Sequence, residues 1–209
     1  MTTLLLIRHG TTASTGIRLG GRTDASLDDR GRAQAREAGK RVAGLRPAAL
    51  YTSPVRRTVE TAELVAAEID CEVSRAEGLA EVEYGRWTDR HLLQVARTRR
   101  WRVVQSTPSL VRFPEGETIR GMQARAVEAT EALVDHHRRD AVVAVSHADV
   151  IKAVVAFYLG LPLDLFGRLH VSPGSVTALR LVRGQQPVLL RFGDDGPWAT
   201  ANPKESARE

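Results

Sequence analysis

The stretch LLLIRHG at residues 4–10 decides the fold that this sequence predicts. Four apolar residues, enough for a strand covered on both faces, are followed at once by Arg8, His9 and a run rich in Gly, Thr and Ser. This pattern is typical of a buried strand that ends in a loop. We therefore predict a strand over residues 4–8 and, over residues 9–27, a loop that carries chemistry.

The stretch VVAVSHAD at residues 142–149 repeats this arrangement, with His147 at the end of a later apolar strand. In open sheets of parallel strands, ligands bind beyond the carboxyl ends of the strands. The imidazoles of His9 and His147 are therefore expected to face one crevice. A single strand-end histidine is more often structural than catalytic, so this inference depends on the pair.

Helix and strand patterns alternate along the rest of the chain. Helices are predicted over residues 28–45, 58–69, 116–139 and 150–161, and further strands over residues 49–52, 141–145, 176–181 and 188–192. The alternation predicts an α/β fold, a three-layer sandwich with a mainly parallel central sheet and helices on both faces. We expect one domain over residues 1–192, with residues 88–118 as a lid insertion, and a disordered tail over residues 193–209.

The composition argues against several classes of protein. The chain of 209 residues is 43% hydrophobic, so it can bury a full core. Its single cysteine, Cys71, can form neither a disulfide framework nor a zinc cluster, which favours a cytoplasmic location. The apolar run that opens the chain is too short for a signal peptide, and no segment is predicted to span or bind a membrane.

The charge balance is basic, with 30 Lys+Arg against 25 Asp+Glu. Such a balance fits either nucleic acid or a small anionic substrate. No basic motif with interleaved aromatic residues is present in the sequence, so we expect no nucleic-acid partner. One dense cluster of arginines lies within the predicted lid, where it fits either the solvated face of a helix or a contact to a second anionic group of a substrate. Its members are Arg90, Arg97, Arg99, Arg100 and Arg102.

The stretch SPVRRTVETA at residues 53–62 leads from a third strand into a helix, whose N-terminus favours an anion. Arg57 would project from this helix into the crevice, although an arginine in a first helical turn is more often simply exposed. Planar guanidinium groups hold the oxygens of a phosphoryl group in pairs, a role that suits Arg8 and Arg57.

The histidines and a carboxyl group supply the remaining parts of phosphoryl chemistry. A neutral imidazole is a competent nucleophile, and a second, protonated imidazole would add positive charge beside the phosphate, so His9 and His147 could divide these roles. The leaving alkoxide needs a proton, which a buried carboxylic acid can supply. Glu81, in LAEVEYGRW at residues 79–87, is the candidate.

Taken together, these motifs resemble those of the histidine phosphatase (phosphoglycerate mutase-like) superfamily. The resemblance covers the chain to about residue 192, and residues 92–160 are also similar to a group of actinobacterial proteins named as phosphomutases. The motifs follow the order of that family and are RHG at residues 8–10, SPVRRTVETA at 53–62, LAEVEYGRW at 79–87, PEGET at 114–118 and SHA at 146–148.

The resemblance implies a role for each site residue. It implies that His9 is phosphorylated and that Glu81 is the proton donor. No metal and no other cofactor is implied, and homodimers are common in the superfamily. The residues that it implies for the phosphate pocket are Arg8, Arg57 and His147. Further residues that it implies for substrate binding are Thr15, Gly20, Gly21 and Ala148.

Two positions depart from the pattern of the family. Thr15 stands where relatives commonly carry an asparagine, so its side chain has less reach towards a phosphate. Gly20 stands where mutases use a hydroxyl residue, which weakens the mutase interpretation. Asp149, which follows His147, is expected to cap the next helix, with a direct catalytic part as the alternative.

The sequence therefore predicts a metal-independent phosphomonoesterase that acts on a small phosphorylated metabolite. A phosphomutase is the main alternative, because phosphatases and mutases of this superfamily have the same phosphate pocket. The compact chain favours hydrolysis. A non-catalytic protein that binds phosphorylated ligands is less favoured, since every catalytic motif residue is present.

Overall fold

The computed structural model describes residues 1–196 and orders them as an alternation of strands and helices. The strands are β1 (Thr2–Arg8), β2 (Ala49–Thr52), β3 (Val73–Arg75), β4 (Ala141–Ser146), β5 (Val176–Leu181) and β6 (Val188–Asp194). The α-helices are α1 (Asp29–Ala43), α2 (Arg56–Ile69), α3 (Leu92–Ala96), α4 (Arg99–Ser106), α5 (Ile119–His136) and α6 (Ala148–Tyr158). Short 3₁₀ helices occur at Glu77–Leu79, Gly85–Trp87, Pro108–Leu110 and Leu163–Arg168.

The strands form one sheet in the order β3-β2-β4-β1-β5-β6. Strands β3, β2, β4 and β1 run parallel, whereas β5 is antiparallel to β1 and β6 is antiparallel to β5. The predicted α/β fold with a mainly parallel central sheet is therefore confirmed. In register, Arg8 at the end of β1 lies opposite Ser146 at the end of β4.

The apolar run of β1 serves both faces of the sheet, because side chains alternate along a strand. Leu4 and Leu6 belong to a core that α5 and α6 cover, while Leu5 and Ile7 belong to a second core that α1 and α2 cover. This double coverage explains why the run is continuously hydrophobic. The three-layer arrangement with helices on both faces is thereby confirmed.

Helix α1 begins where the sequence predicts, since the side chain of Asp28 caps it by accepting from the amide of Gly31 at 2.7 Å. The expected cap at Asp149 is wrong. His147 occupies the N-cap position of α6 and makes no side-chain cap bond. The carboxylate of Asp149 instead accepts from Lys152 at 2.8 Å and from the Tyr84 hydroxyl at 3.2 Å.

Strand β6 continues to Asp194, so residues 193 and 194 belong to the sheet and not to the expected tail. Residues 197–209 of that tail lie outside the described residues. Within residues 88–118, the side chains of Val95, Val111 and Phe113 are buried in the core. The lid role of that segment stays a prediction.

No helix among residues 1–196 combines the length and the apolar character needed to cross a membrane.

Candidate active site

The carboxyl ends of β1 and β4 bring His9 and His147 together. The amide of His9 donates to the carbonyl of Ser146 at 3.0 Å, which ties the first residue after β1 to the end of β4. The two imidazole rings meet edge to face, with centroids 5.2 Å apart. Both side chains are buried. Neighbouring parallel strands thus place the two imidazoles against each other at one edge of the sheet, where the two strand-end motifs predict a ligand site.

The hydrogen bonds of His9 assign its tautomer. Nδ1 lies 2.7 Å from the carbonyl oxygen of Gly10, which can only accept, so Nδ1 carries the proton. Nε2 accepts from Nε of Arg57 at 3.1 Å. Burial and the nearby charge of Arg57 hold the pKa of His9 well below its ordinary value. His9 is therefore neutral, with the lone pair that a nucleophile needs on Nε2.

The surroundings of His147 favour a neutral imidazole as well, whereas the sequence predicts a protonated one beside a phosphate. Its Nδ1 lies 3.0 Å from Nη2 of Arg57, and its Nε2 lies 2.8 Å from the hydroxyl of Ser53. A guanidinium can only donate, so Nδ1 of His147 is the unprotonated nitrogen. Burial, followed by the charge of Arg57, lowers the pKa of His147 well below its usual value. The positive charge beside the crevice therefore comes from arginine.

Two buried arginine nitrogens face no acceptor in the part of the chain that the structure describes. Arg57 donates through Nη2 to the carbonyl of Gly21 at 2.7 Å, and Arg8 donates through Nη1 to the carbonyl of Val171 at 2.6 Å. Nη1 of Arg57 and Nε of Arg8 are buried and have no hydrogen-bond partner among residues 1–196. Buried donors are nearly always satisfied in native proteins, so these two are suited to an anion.

Glu81 lies beside this positive charge. Its Oε2 is 3.9 Å from Nη2 of Arg57 and 3.7 Å from Nδ1 of His147, and its Oε1 accepts from the amide of Val82 at 2.9 Å. Burial, together with the negative charge of Asp149, raises the pKa of Glu81 to about 7. Glu81 can therefore hold a proton near neutral pH and give it up in a reaction.

A cavity of about 180 Å³ joins these groups. Thr15 lies in its wall, but its hydroxyl accepts from the amide of Thr12 at 2.8 Å. Gly21 and His147 do not line the cavity, but both contact Arg57, which does. The sequence-predicted residues in its wall are Arg8, His9, Thr15, Gly20, Arg57, Glu81 and Ala148, and the others are Thr12, Ser14, Gly16, Arg18, Leu19, Tyr84, Leu92 and Asp149.

Comparison with known proteins identifies the family. The family model for branch 1 of the histidine phosphatase superfamily matches residues 4–195. The chain belongs to the histidine phosphatase superfamily. This histidine phosphatase contains, within residues 1–196, no group of three or more His, Cys, Asp or Glu side chains that could hold a metal ion.

The similar proteins carry both mutase and phosphatase names. The chain is 31% identical over 193 residues to "Probable phosphoglycerate mutase GpmB" of Erwinia tasmaniensis, covering 90% of this chain and 88% of that one. It matches the solved structure of Bacillus stearothermophilus YhfR with a TM-score of 0.87 and 31% identity, over 93% of this chain and 98% of that one. It matches a phosphoserine phosphatase from Entamoeba histolytica, in complex with 3-phosphoglyceric acid, with a TM-score of 0.83 and 26% identity, over 93% and 98% of the two chains.

Sequence reasoning missed the residue that holds the Glu81 loop of this histidine phosphatase. Arg125 of α5 donates to the carbonyls of Gly78 at 2.9 Å, Ala80 at 2.7 Å and Glu81 at 3.1 Å. It also pairs with both carboxylate oxygens of Glu117, at 2.6 and 3.0 Å. One guanidinium therefore fixes three carbonyls of a loop that has no regular secondary structure of its own at Glu81. In the sequence, Arg125 is one of many helical arginines, and no motif marks it.

Asp149 lines the cavity instead of capping α6. Burial alone raises its pKa, but the Lys152 ammonium and the Tyr84 hydroxyl outweigh this effect and lower the pKa below its ordinary value. The ionised Asp149 in turn helps to raise the pKa of Glu81. Two carboxyl groups of one cavity thus differ in protonation near neutral pH because their partners differ.

The arginine cluster of residues 90–102 contributes nothing to the wall of the cavity. Arg18 is the arginine that joins Arg8 and Arg57 there. Its Nη1 donates to the carbonyl of Asp89 at 2.7 Å. The dense arginine cluster therefore does not mark the cavity wall, whereas Arg18, a lone arginine close to the first motif, lies in it.

Proposed function

We propose that this chain is a phosphomonoesterase that hydrolyses a small phosphorylated metabolite through a phosphohistidine at His9. One observation carries the proposal: the Nε2 lone pair of the neutral His9 lies against Arg57, whose buried Nη1 has no partner among the described residues. A nucleophile and a buried donor suited to an anion therefore lie side by side. The phosphatase names of similar proteins support hydrolysis.

In the first half of the reaction, Nε2 of His9 attacks the phosphorus atom. The bond between phosphorus and the ester oxygen breaks, and the proton of Glu81 passes to the leaving alkoxide. The carbonyl of Gly10 holds the proton on Nδ1 and keeps the ring oriented. The phosphate oxygens take the hydrogen bonds of Arg8 and Arg57, which offset the charge that spreads over them.

In the second half, a water molecule attacks the phosphorus atom of the phosphohistidine. Glu81, now a carboxylate, takes a proton from that water, the bond between nitrogen and phosphorus breaks, and phosphate leaves. Nε2 of His9 recovers its lone pair and Glu81 recovers its proton. Each group returns to its starting protonation state, and no redox partner is needed.

The remaining predicted residues shape the pocket in this proposal. Gly20 and Ala148 line the cavity and keep it open, because neither carries a bulky side chain. A Cβ atom at Gly20 would lie 3.8 Å from the Arg57 guanidinium, so a larger side chain there would enter the space beside the phosphate. Gly21 positions Arg57 through its carbonyl, and Thr15 braces the loop that carries Thr12.

A phosphomutase is the second candidate function. The similarity to a protein named as a phosphoglycerate mutase favours it, since a mutase would use the same phosphohistidine. The difference lies in the second half, where the phosphoryl group returns to another oxygen of the substrate. Incubation of 3-phosphoglycerate with the enzyme separates the two, because a mutase forms 2-phosphoglycerate whereas a phosphatase releases inorganic phosphate.

The proposal extends to properties that the resemblance implies. We propose a cytoplasmic enzyme, in line with its single cysteine, and a homodimer, in line with its superfamily. We also propose that it groups with the actinobacterial phosphomutase-like proteins that residues 92–160 resemble, and that residues 88–118 act as its lid. The enzyme is proposed to need no metal.

Phosphate release tests the proposed function. Wild type and His9→Ala are compared on p-nitrophenyl phosphate and a panel of phosphorylated metabolites, with and without excess EDTA. The proposal predicts release that survives EDTA and disappears in the variant. Release that EDTA abolishes, or that His9→Ala retains, would contradict it.

A further inference from the structure

A second cavity of about 250 Å³ lies directly beside the first. Leu19, Tyr84 and Asp149 line both cavities, so these side chains lie between the two. Small-molecule sites commonly begin at about 300 Å³, a volume that neither cavity reaches alone and the two reach together. The pair therefore has the size of one substrate site with two compartments.

Most of the residues that line the second cavity are apolar or aromatic, and polar atoms make up about half of the surface that it exposes. Phe113, Ile119 and Phe166 are almost fully buried and form its rigid part. Trp101 and Val104 of α4 and Pro108 add further apolar surface. This lining differs from that of the first cavity, which holds Arg8, Arg57 and Glu81.

The charged groups of the second cavity are already paired. Lys152 binds Asp149 at 2.8 Å and stands 5.4 Å from the ring centroid of Phe166. Asp164 accepts from the amide of Ser109 at 2.8 Å. A charged ligand would have to break these pairs, whereas an apolar ligand would leave them intact. The chemistry of the cavity therefore favours an apolar occupant.

Helix α4 supplies a wall that is incompletely covered. None of its eight residues is fully buried, although Trp101, Val103 and Val104 pack against the core. The other positions of α4 are occupied by Arg99, Arg100, Arg102, Gln105 and Ser106. An apolar group in the second cavity would remove more of Trp101 and Val104 from water, which is favourable.

We propose that the second cavity is the subsite for the alcohol part of the substrate, and that this part carries an apolar chain or ring. The inference rests on the proposed function, because it takes the first cavity as the phosphate site. The phosphoryl group lies between Arg8 and Arg57, and the apolar body passes Leu19 and Tyr84 into the second cavity. The substrate class is thus an amphipathic phosphomonoester.

Ethyl phosphate and hexyl phosphate test this inference, since their leaving groups have the same chemistry and differ only in apolar length. We expect kcat/KM to be roughly tenfold or more higher for hexyl phosphate in the wild type. Val104→Phe fills the second cavity and should lower kcat/KM for hexyl phosphate about tenfold more than for ethyl phosphate. Leu110→Phe is the matched control, because Leu110 is 71% exposed and lies outside the cavity lining.

A second variant covers the case in which Val104→Phe does not fold. Gly167→Leu adds bulk at the cavity, and a Cβ atom there would meet no heavy atom within 4 Å. Equal kcat/KM for the two alkyl phosphates in the wild type would overturn the inference and leave the proposed function standing. An advantage for hexyl phosphate that both filling variants retain would also overturn it. Hydrolysis of neither compound, nor of p-nitrophenyl phosphate, would remove the proposed function and the inference with it.

Discussion

Nε of Arg57 donates a hydrogen bond to Nε2 of His9 across 3.1 Å. The atom proposed as the nucleophile is thereby held by the residue proposed to bind the phosphate. This contact helps to keep His9 neutral, because a nearby guanidinium disfavours a second positive charge. A bound phosphate would compete with His9 for the same donor and so free the lone pair for attack.

Replacement of Arg57 by alanine should lower kcat/KM for p-nitrophenyl phosphate by about a hundredfold to a thousandfold, because a preorganised donor to the transferring group is lost. Arg57→Lys should recover only part of this loss, since an ammonium cannot bind two oxygens as a planar fork. Arg56→Ala is the matched control, because Arg56 neighbours Arg57 in α2 but is exposed and pairs with Glu60 at 2.8 Å. Equal activities in the Arg57→Ala and Arg56→Ala variants would contradict the proposed phosphate site.

Glu81 gives the reaction a pH dependence that varies with the leaving group. As the pH rises through its pKa of about 7, Glu81 loses the proton that an alkoxide needs. p-Nitrophenolate is stable enough to leave without that proton. The ratio of kcat/KM for ethyl phosphate to that for p-nitrophenyl phosphate should therefore fall about tenfold per pH unit well above pH 7.

Glu81→Gln is the control for this pH dependence. It cannot donate the proton, so the ratio for the two substrates should be low and independent of pH. A wild-type ratio that stays constant between pH 6 and pH 9, the range on either side of the proposed pKa of about 7, would argue against Glu81 as the acid.

Arg125→Ala should mimic the loss of Glu81, because the carbonyls of residues 78, 80 and 81 lose their shared donor. We expect kcat/KM to fall about a hundredfold for ethyl phosphate, as a small misplacement of a catalytic group can cost that much. The loss for p-nitrophenyl phosphate should be at least tenfold smaller. A purely structural role would reduce both activities equally, and Arg120→Ala, at an exposed position of the same helix, provides the comparison.

The arginine cluster of residues 90–102 should be dispensable for binding, since none of its members lines the cavity. The triple variant Arg97→Ala, Arg99→Ala and Arg100→Ala should keep KM within about twofold for ethyl phosphate and for phosphoserine, because exposed charges contribute little. Steady-state kinetics on both substrates would check this. A rise in KM for phosphoserine alone would restore the sequence-based hypothesis of a second anion contact.

The positions of the site residues at the strand ends could be predicted from the sequence, because they follow from local patterns. An apolar run that ends in Arg8 and His9, and another that ends in His147, places these residues at the same edge of a parallel sheet. The strand order β3-β2-β4-β1-β5-β6 was not predictable in the same way. Strand β3 was missed because its three residues, VSR, include only one apolar side chain and leave no alternation to detect.

Contacts between distant segments could not be predicted from the sequence, for a physical reason. Arg125 acts through backbone carbonyls of another loop, and carbonyls carry no sequence signal. Asp149 precedes Lys152 and faces Tyr84, so its side chain forms an ion pair instead of a helix cap. The neutral state of His147 depends on its burial and on the position of the Arg57 guanidinium, which motif spacing does not specify.

Trapping of the phosphoenzyme tests the central claim most directly. The enzyme is mixed with p-nitrophenyl phosphate carrying radiolabelled phosphorus and quenched in alkali, since a phosphoramidate survives alkali and is cleaved by acid. The account predicts an alkali-stable, acid-labile label in a peptide that contains His9, formed before phosphate is released and absent from His9→Ala. Phosphate release by the wild type without any label at His9, or a label that persists in His9→Ala, would contradict it.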